Sequence, residues 1–547
     1  MPDPIIRAEH LSRSFGAVKA VDDLTLEVPA GIVFGFLGPN GAGKTTTIHL
    51  LLGLIRPTQG QAWVIGFDVR KRAEEIRAHS GALLEFSGLY ERLSAEDNLY
   101  LYGRIYRMPA AERRTRTREL LKHLDLWERR KDRVGTWSRG MKQKLAVARA
   151  LFHRPPLVFL DEPTAGFDPI VAAALRTDLA GLVAHEGVTV FLNTHNLTEA
   201  EQLCAQVGVI RAGKLLTMGS PDSLRMRGKS PRVRITGRGF DERLVALLRQ
   251  RPEVAQVDLL LDRLEIELLD EKSRNGPLVS LIVQKRRRGG GNQQRRGQPR
   301  RSVPDFDEGR KSMNDFWTMV WKETKDSVFS SRRSEFIIPL MVIAIMGIII
   351  PWQFGNSWIS LSPAMITIVC YIPFFLTTSY VGDAVAGERE RHTLETLLAS
   401  RISDRAILWG KITVTIAYAW GLTLIGLLLG LVVTNLLSGQ GHWQFYHPFN
   451  ILLEMLVLSL SASLLSASAG VLISLRAASV RQAQQTMAVG TLILLIAIVL
   501  TLKSVPSTVL KTLSESQFLL FLIGGFALLD LILVGILSAS FQRSRLI

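Results

Sequence analysis

Cysteine is nearly absent from this 547-residue chain, which has only Cys204 and Cys370. The first lies in a mixed stretch and the second in an apolar one, so neither a disulfide nor a cysteine metal site is expected. The opening Met-Pro-Asp-Pro lacks an apolar h-region, so we expect no cleavable signal peptide and a cytoplasmic N-terminal half. The net charge is +17, but the basic residues form no recognisable nucleic-acid-reading element, so we expect no nucleic-acid partner.

The first half of the chain has the pattern of two soluble units. Residues 1–230 alternate β-rich runs with helical periodicity, which predicts an α/β domain. Residues 231–284 predict a small ferredoxin-like add-on that lacks its last strand. Its predicted elements are the strands Val233–Thr236, Val254–Leu261 and Arg263–Leu269 and the helices Glu242–Arg249 and Leu278–Val283.

Two segments separate these units from the apolar half. Residues 285–311 hold ten basic and three acidic residues, are rich in Gly and Gln, and are predicted not to fold. Residues 312–335 carry Trp317, Val320 and Trp321 at helical spacing among charges. This pattern predicts an amphipathic helix in the membrane interface, with a buried core helix as the alternative.

Residues 336–547 predict an all-α transmembrane domain of six helices. Each apolar run is long enough to cross a bilayer. The six runs are 336–353, 364–382, 411–437, 449–475, 482–502 and 518–541. Loops 354–363 and 438–448 hold no Lys or Arg, whereas the loop between the second and third runs is basic. The positive-inside rule therefore places both termini and the soluble half in the cytoplasm.

A phosphate-binding loop is the clearest chemical motif. Its pattern, G-x-x-x-x-G-K-[ST], follows the apolar strand Ile32–Leu37 and opens a helical run, as such a loop requires. Backbone N–H groups would wrap the phosphates of ATP, Lys44 would reach the β/γ oxygens and Thr45 would hold Mg²⁺. The predicted ATP-binding loop consists of Gly38, Pro39, Asn40, Gly41, Ala42, Gly43, Lys44, Thr45 and Thr46.

A second motif is the buried run Leu157-Val-Phe-Leu that ends in Asp161 and Glu162. Asp161 suits the Mg²⁺ shell, and Glu162 is placed to polarise an attacking water. An ordinary strand followed by a solvated acidic turn is the alternative.

The segment Trp137-Ser-Arg-Gly-Met-Lys-Gln143 resembles the signature motif of ABC ATPases, and the resemblance covers nearly all of 1–230. It implies that Ser138 and Gly140 bind the γ-phosphate held by a partner domain. Arg139 and Met141 replace the family's more common Gly and Gln at two signature positions.

The same resemblance assigns four more residues. Asp168 is similar to the dimer-contacting D-loop residue, and His195 resembles the switch histidine at the γ-phosphate. Phe15 resembles the aromatic that stacks on adenine, with strand packing as the alternative. Glu85 stands where the family has the Q-loop Gln; it can accept a contact from Mg²⁺ or water, and a plain surface Glu is the alternative.

The segment 383–400, between the second and third apolar runs, resembles the part of ABC-2 type permeases that docks on the ATPase. We call it the docking segment; a solvated loop is the alternative. Glu454 and Asp530 are acids inside apolar runs, which motivates a substrate- or cation-facing role for them.

Together these features predict a multi-pass transporter of the cytoplasmic membrane that hydrolyses ATP with Mg²⁺ and exports an unidentified substrate. Its partners would be membrane lipid, the substrate, and a second copy or a paralogous half-transporter, because two signatures must face two P-loops. A drug, lipid, peptide, glycan or ion would all suit the architecture. The alternatives are an importer and an ATPase that transmits force or a signal without transport.

Residues 285–311 also motivate a hypothesis that a reading-frame shift fused two neighbouring genes. The add-on stops one strand short, and Met313 begins a stretch that looks like a permease N-terminus. Read in the shifted frame, codons 298–309 can spell a sequence that resembles the tail of stand-alone ATPase subunits. A genuine basic linker that touches anionic lipid headgroups is the alternative.

Resequencing the gene at the codons near Lys285 tests this hypothesis. We expect the shifted frame to encode a Leu-Thr-Leu-Met tail. A shifted frame without that tail contradicts the fusion. A continuous frame in independent clones, with full-length protein in membranes, excludes a sequencing error.

Overall fold

The computed structural model describes residues 3–227, 232–236, 254–260, 263–268, 308–329, 337–359, 363–381, 383–438, 443–446, 449–504 and 515–546. The predicted add-on helices and residues 285–307 of the basic segment lie outside these ranges.

The N-terminal domain is built on two sheets. Its strands are β1 Ile6–Phe15, β2 Val18–Val28, β3 Val33–Leu37, β4 Gln59–Val64, β5 Phe67–Asp68, β6 Ser80–Leu83, β7 Leu157–Asp161, β8 Thr189–Thr194, β9 Gln206–Arg211 and β10 Lys214–Gly219. One sheet has the order β2-β1-β4-β5 and is antiparallel. The other has the order β10-β9-β3-β8-β7-β6, in which only β10 is antiparallel to its neighbour.

Helices complete the N-terminal domain, and several of them pack on the parallel sheet. They are α1 Lys44–Leu51, α2 Ala73–His79, α3 Ala95–Ile105, α4 Ala110–His123, α5 Arg139–Leu151, α6 Pro169–Glu186, α7 Leu197–Leu203 and α8 Pro221–Arg227. All five residues of β7 are buried, as an apolar strand between two helical layers should be. Because β3, β8 and β7 are adjacent and parallel, the residues that follow their carboxyl ends meet at one edge.

Three strands of the add-on are described: β11 Arg232–Thr236, β12 Val254–Leu260 and β13 Arg263–Leu268. They form an antiparallel sheet with the order β11-β13-β12. The strands fall where the sequence placed them. The ferredoxin-like fold itself stays a prediction, since its two helices lie outside the described residues.

The C-terminal half is helical. Its helices are α9 Glu308–Glu323, α10 Ile337–Ala344, α11 Ile350–Phe354, α12 Pro363–Val381, α13 Glu388–Glu390, α14 Leu394–Leu398, α15 Asp404–Ser438, α16 Phe449–Arg476, α17 Val480–Ser504, α18 Glu515–Ser540 and α19 Arg543–Leu546. In the described residues four stretches are long and apolar enough to cross a membrane: Pro339–Trp358, Asp404–Leu437, Leu452–Arg476 and Ser516–Ser540. Helices α12 and α17 coincide with the two remaining apolar runs, and the six-span count stays a prediction.

Helix α9 begins at Glu308, so residues 308–311 are helical and the predicted unfolded segment is too long at that end. An acidic residue at the first turn favours helix initiation through the helix dipole. Met319, Lys322 and Glu323 on α9 are buried, whereas Trp317 is exposed. One face of α9 therefore packs against protein, as the buried-helix alternative requires; a membrane-interface position of the other face stays a prediction.

Candidate ATPase site

The phosphate-binding loop connects β3 to α1. A side chain at Gly43, whose φ is +101°, would place its Cβ 2.2 Å from the Ala20 carbonyl oxygen, and a Cβ at Gly38 would lie 2.4 Å from that of Ile210. Glycine is therefore required at both positions, and the backbone N–H groups at the start of α1 form a cradle that suits phosphate. Pro39, Asn40 and Gly41 are exposed in this loop.

Lys44 occupies the centre of the cradle with its side chain buried. Its Nζ donates to the carbonyl oxygens of Gly38 at 2.8 Å and Pro39 at 3.2 Å. The same atom lies 3.1 Å from Glu162 Oε1. The ammonium group therefore lies between the loop and the end of β7, within reach of a phosphate held by the loop.

Two oxygen-bearing side chains meet beside Lys44. The Thr45 hydroxyl donates to Asp161 Oδ2 at 2.7 Å, and Asn193 Nδ2 donates to Asp161 Oδ1 at 3.1 Å. Burial raises the pKa of Asp161, and these two hydrogen bonds oppose the rise. A hydroxyl and a carboxylate side by side are the hard oxygen ligands that Mg²⁺ prefers, so these residues fit the ion.

Glu162 and His195 form the other side of this edge. Glu162 follows β7 with φ +49°, in the left-handed region that a non-glycine residue rarely adopts. His195 follows the adjacent strand β8, and its Nδ1 lies 2.5 Å from Glu162 Oε2. The structure thus brings together Lys44, Thr45, Asp161, Glu162 and His195, to all of which the sequence analysis assigned roles at ATP.

Two other predicted residues lie at or just after the ends of other strands. Glu85 follows β6, the sheet's edge strand next to β7, and is exposed. Phe15 ends β1 and is 48% exposed, with the Arg13 guanidinium 4.5 Å from its ring centroid. Its exposure leaves one aromatic face open to stacking.

The signature residues are held at the start of α5. Ser138 caps this helix, accepting a hydrogen bond from the Met141 backbone N–H at 3.3 Å. Asp168 accepts one from the Val171 N–H at 3.0 Å. Among the described residues, no hydrogen bond links Ser138 or Gly140 to the chain's own P-loop.

Arg139 has a contact that the sequence did not predict. Its guanidinium donates to the carbonyl oxygens of Gly166 and Ala165, each at 3.0 Å, and lies 4.9 Å from the Phe167 ring centroid. Arg139, which departs from the common signature, therefore links the signature segment by hydrogen bonds to the loop that contains Asp168.

The docking segment contacts the same helix that carries the P-loop. His49 is in the last turn of α1, and its Nε2 lies 2.6 Å from Glu395 Oε1. The Arg77 Nε donates to the Ser400 carbonyl oxygen at 3.2 Å, and a Cβ on Gly88 would lie 1.9 Å from Thr396 Oγ1. No motif marked His49 or Arg77, whose partners Glu395 and Ser400 lie 346 and 323 residues further along the chain.

Behind the docking segment lies a buried group of four charges, which we call the charge cluster: Lys322, Glu323, Glu388 and Lys411. Lys411 Nζ lies 2.7 Å from Glu323 and 3.0 Å from Glu388, and Lys322 contacts both carboxylates. Burial opposes ionisation of Glu388, but Lys322 and Lys411 outweigh it and hold the Glu388 pKa below its usual range. The cluster joins α9, the docking segment and α15.

The two halves also share an apolar core. Tyr90, Leu101 and Ile105 of the N-terminal domain pack in one cluster with Leu394 and Leu397 of the docking segment. Arg107 forms a bidentate salt bridge with Asp315 of α9, in which Nε donates to Oδ1 at 3.3 Å and Nη2 donates to Oδ2 at 3.0 Å. Lys325, just beyond α9, contacts Asp97 of α3.

Comparisons with known proteins match both halves. A family profile described as ABC transporter matches residues 21–165, and one described as ABC-2 family transporter protein matches residues 353–535. The bacitracin transport ATP-binding protein BcrA of Bacillus licheniformis is 41% identical over 225 residues, which is 41% of this chain and 72% of that protein. The daunorubicin resistance ATP-binding protein DrrA3 of Streptomyces coeruleorubidus is 38% identical over 233 residues, which is 43% of this chain and 73% of that protein.

A solved structure of an ATP-binding subunit of an ABC transporter is 31% identical, with a TM-score of 0.38. The match covers 41% of this chain and 93% of that subunit.

Replacing Glu162 by Gln should abolish turnover while ATP binding persists. The amide keeps the side-chain size but cannot accept a proton, and loss of a general base lowers a rate by about 10²–10⁴. Phosphate release and fluorescent-ATP binding by the full chain measure the two effects. Near-normal hydrolysis would show that Glu162 is not the base.

Lys44→Ala should instead weaken nucleotide binding. A hydrogen bond from a charged donor contributes about 1.5–3 kcal/mol, so ATP affinity should fall roughly 10- to 100-fold. Titration with ATP measures it, and Lys71→Ala, on a surface outside the cradle, is the control. Unchanged ATP affinity in the Lys44 variant would contradict the assignment.

Proposed function

This chain belongs to the ABC transporter family, with an ATP-hydrolysing domain and an ABC-2 membrane domain in one polypeptide, and we propose that it is an exporter. ATP hydrolysis is coupled to transport, and the chain is a multi-pass membrane protein. The observation that ties ATP hydrolysis to the membrane half is the contact of α1, which opens at the P-loop, with Glu395 of the docking segment.

The chemistry would proceed at the edge of the parallel sheet. The loop N–H groups and Lys44 bind the phosphates of ATP, while Glu162 accepts a proton from the attacking water and His195 orients Glu162. Thr45 and Asp161 would hold Mg²⁺, with Glu85 nearby, and the ion would neutralise charge on the phosphate oxygens. Phe15 would stack on the adenine.

The working unit would be a dimer, because two signature segments must each face the P-loop of the other copy. Ser138 and Gly140 make no described hydrogen bond to their own P-loop, which supports a γ-phosphate contact in trans with Asp168 at the interface. A second copy of this chain is the simplest partner, and a paralogous half-transporter is the other candidate.

Orientation follows from charge. The loop around the docking segment is basic and its residues contact the ATPase, so both lie in the cytoplasm under the positive-inside rule. The membrane would be the cytoplasmic membrane. Export is supported by relatives whose names refer to bacitracin transport and daunorubicin resistance.

ATP-dependent uptake into inside-out vesicles tests export against force transmission without transport. We expect at least one compound from a panel of neutral, cationic and anionic fluorescent probes to accumulate with ATP. Vesicles with the Glu162→Gln variant are the matched control. Intact ATPase activity with no accumulation of any probe would favour the non-transporting alternative.

Replacing Glu395 by Ala should uncouple the halves. The change removes the contact with His49 but leaves the residues that bind and hydrolyse ATP in place. Basal ATPase activity should therefore stay within about twofold, while the amount of probe transported per ATP hydrolysed falls about tenfold. Glu390, another acid of the docking segment, instead accepts a hydrogen bond from the Val480 N–H at 2.9 Å, inside the permease half.

Glu390→Ala is therefore the matched control and should retain coupling. If ATPase, transport and protein level all fall together in Glu395→Ala, the residue serves folding and the coupling role is wrong.

A further inference from the structure

Asp530 is an acid in the middle of an otherwise uncharged helix. The stretch Ser516–Ser540 of α18 has a mean hydropathy of 2.6, the highest of the four long apolar stretches described. Asp530 is the only Asp, Glu, Lys or Arg between residues 516 and 542. A charge at this depth is costly, so it is retained only where a partner or a function compensates for it.

The side chain of Asp530 faces the helical bundle. Phe526 and Leu533, at i−4 and i+3, pack against a buried cluster formed by Phe374 of α12 with Ala462 and Leu465 of α16. Asp530 is 6% exposed, and its Oδ2 accepts a hydrogen bond from Ser461 of α16 at 2.6 Å. Ser461 thereby fixes the direction of the carboxyl group.

The second carboxyl oxygen is not satisfied. Asp530 Oδ1 is buried and has no hydrogen-bond partner among the described residues. A buried carboxylate with one unpaired oxygen must be neutralised by a proton or by a cation. The hydrogen bond from Ser461 alone therefore does not satisfy the carboxyl group of Asp530.

Within the six apolar runs of the sequence, one side chain could supply a counter-charge. Lys411, at the start of the third predicted run, is the only Lys, Arg or His in all six apolar runs. It is already paired with Glu323 and Glu388 in the charge cluster. The counter-charge of an ionised Asp530 would therefore come from a solute rather than from the apolar runs.

We propose that Asp530, oriented by Ser461, is the binding residue for a positively charged group of the transported molecule. Because the surrounding side chains are apolar, the substrate class is a lipophilic cation. This inference rests on the proposed export function.

Equilibrium binding of tetraphenylphosphonium to the purified full chain in nanodiscs tests the site. Triphenylphosphine oxide, which has similar aryl groups and no charge, is the matched ligand. The wild type should bind the cation saturably. Asp530→Asn, whose amide can still accept from Ser461, should lower affinity for the cation at least about tenfold and leave the neutral compound within about twofold.

Two further variants separate charge from packing. Asp530→Glu keeps the charge and should retain most of the cation affinity. Ser461→Ala removes the hydrogen bond but keeps the carboxylate, so it should change cation affinity by less than about threefold.

Three outcomes would overturn the inference: no saturable binding of the cation by the wild type, unchanged cation affinity in Asp530→Asn, or an equal loss for both ligands. Uptake of the neutral probes by inside-out vesicles is scored separately. Persisting ATP-driven uptake without cation binding would refute the substrate class alone, whereas absence of all uptake would refute export.

Discussion

Helix α1 is eight residues long, and both of its ends are committed to contacts that the rest of the molecule depends on. Its first residue, Lys44, lies in the phosphate cradle, and His49, five residues later, meets Glu395 of the docking segment. A helix this short spans roughly 12 Å and cannot bend appreciably, so displacement of one end moves the other. The P-loop and the membrane half are thus mechanically adjacent.

The docking segment can transmit such a displacement only if it is firmly attached to the helices behind it. The charge cluster supplies that attachment, since two lysines and two carboxylates with nearly complete burial join α9, the docking segment and α15. Removing one member of such a cluster leaves an uncompensated buried charge, which is strongly destabilising. The joint therefore needs all four side chains to keep its buried charges compensated.

Local motifs predicted most of the ATPase edge, because its glycines, Lys44 and Asp161 obey spacing rules that a strand-loop-helix imposes. The apolar runs and their flanking charges likewise predicted a membrane domain. Contacts between distant segments could not be predicted from the sequence, because they are set by how whole elements pack. Examples are the contacts of His49 with Glu395, Arg139 with Gly166, and Lys322 with Glu388. The start of α9 was missed for a related reason, since composition alone marks a boundary poorly.

An exchange of the acidic and basic side chains across the α1 contact is the most direct test of coupling through this contact. His49→Glu and Glu395→Lys would each be measured singly and together, as probe transported per ATP hydrolysed in inside-out vesicles. The account predicts that each single change lowers this ratio and that the double exchange restores most of it, giving a clear interaction energy. Additive losses in the double variant, or unaffected single variants, would contradict transmission through this contact.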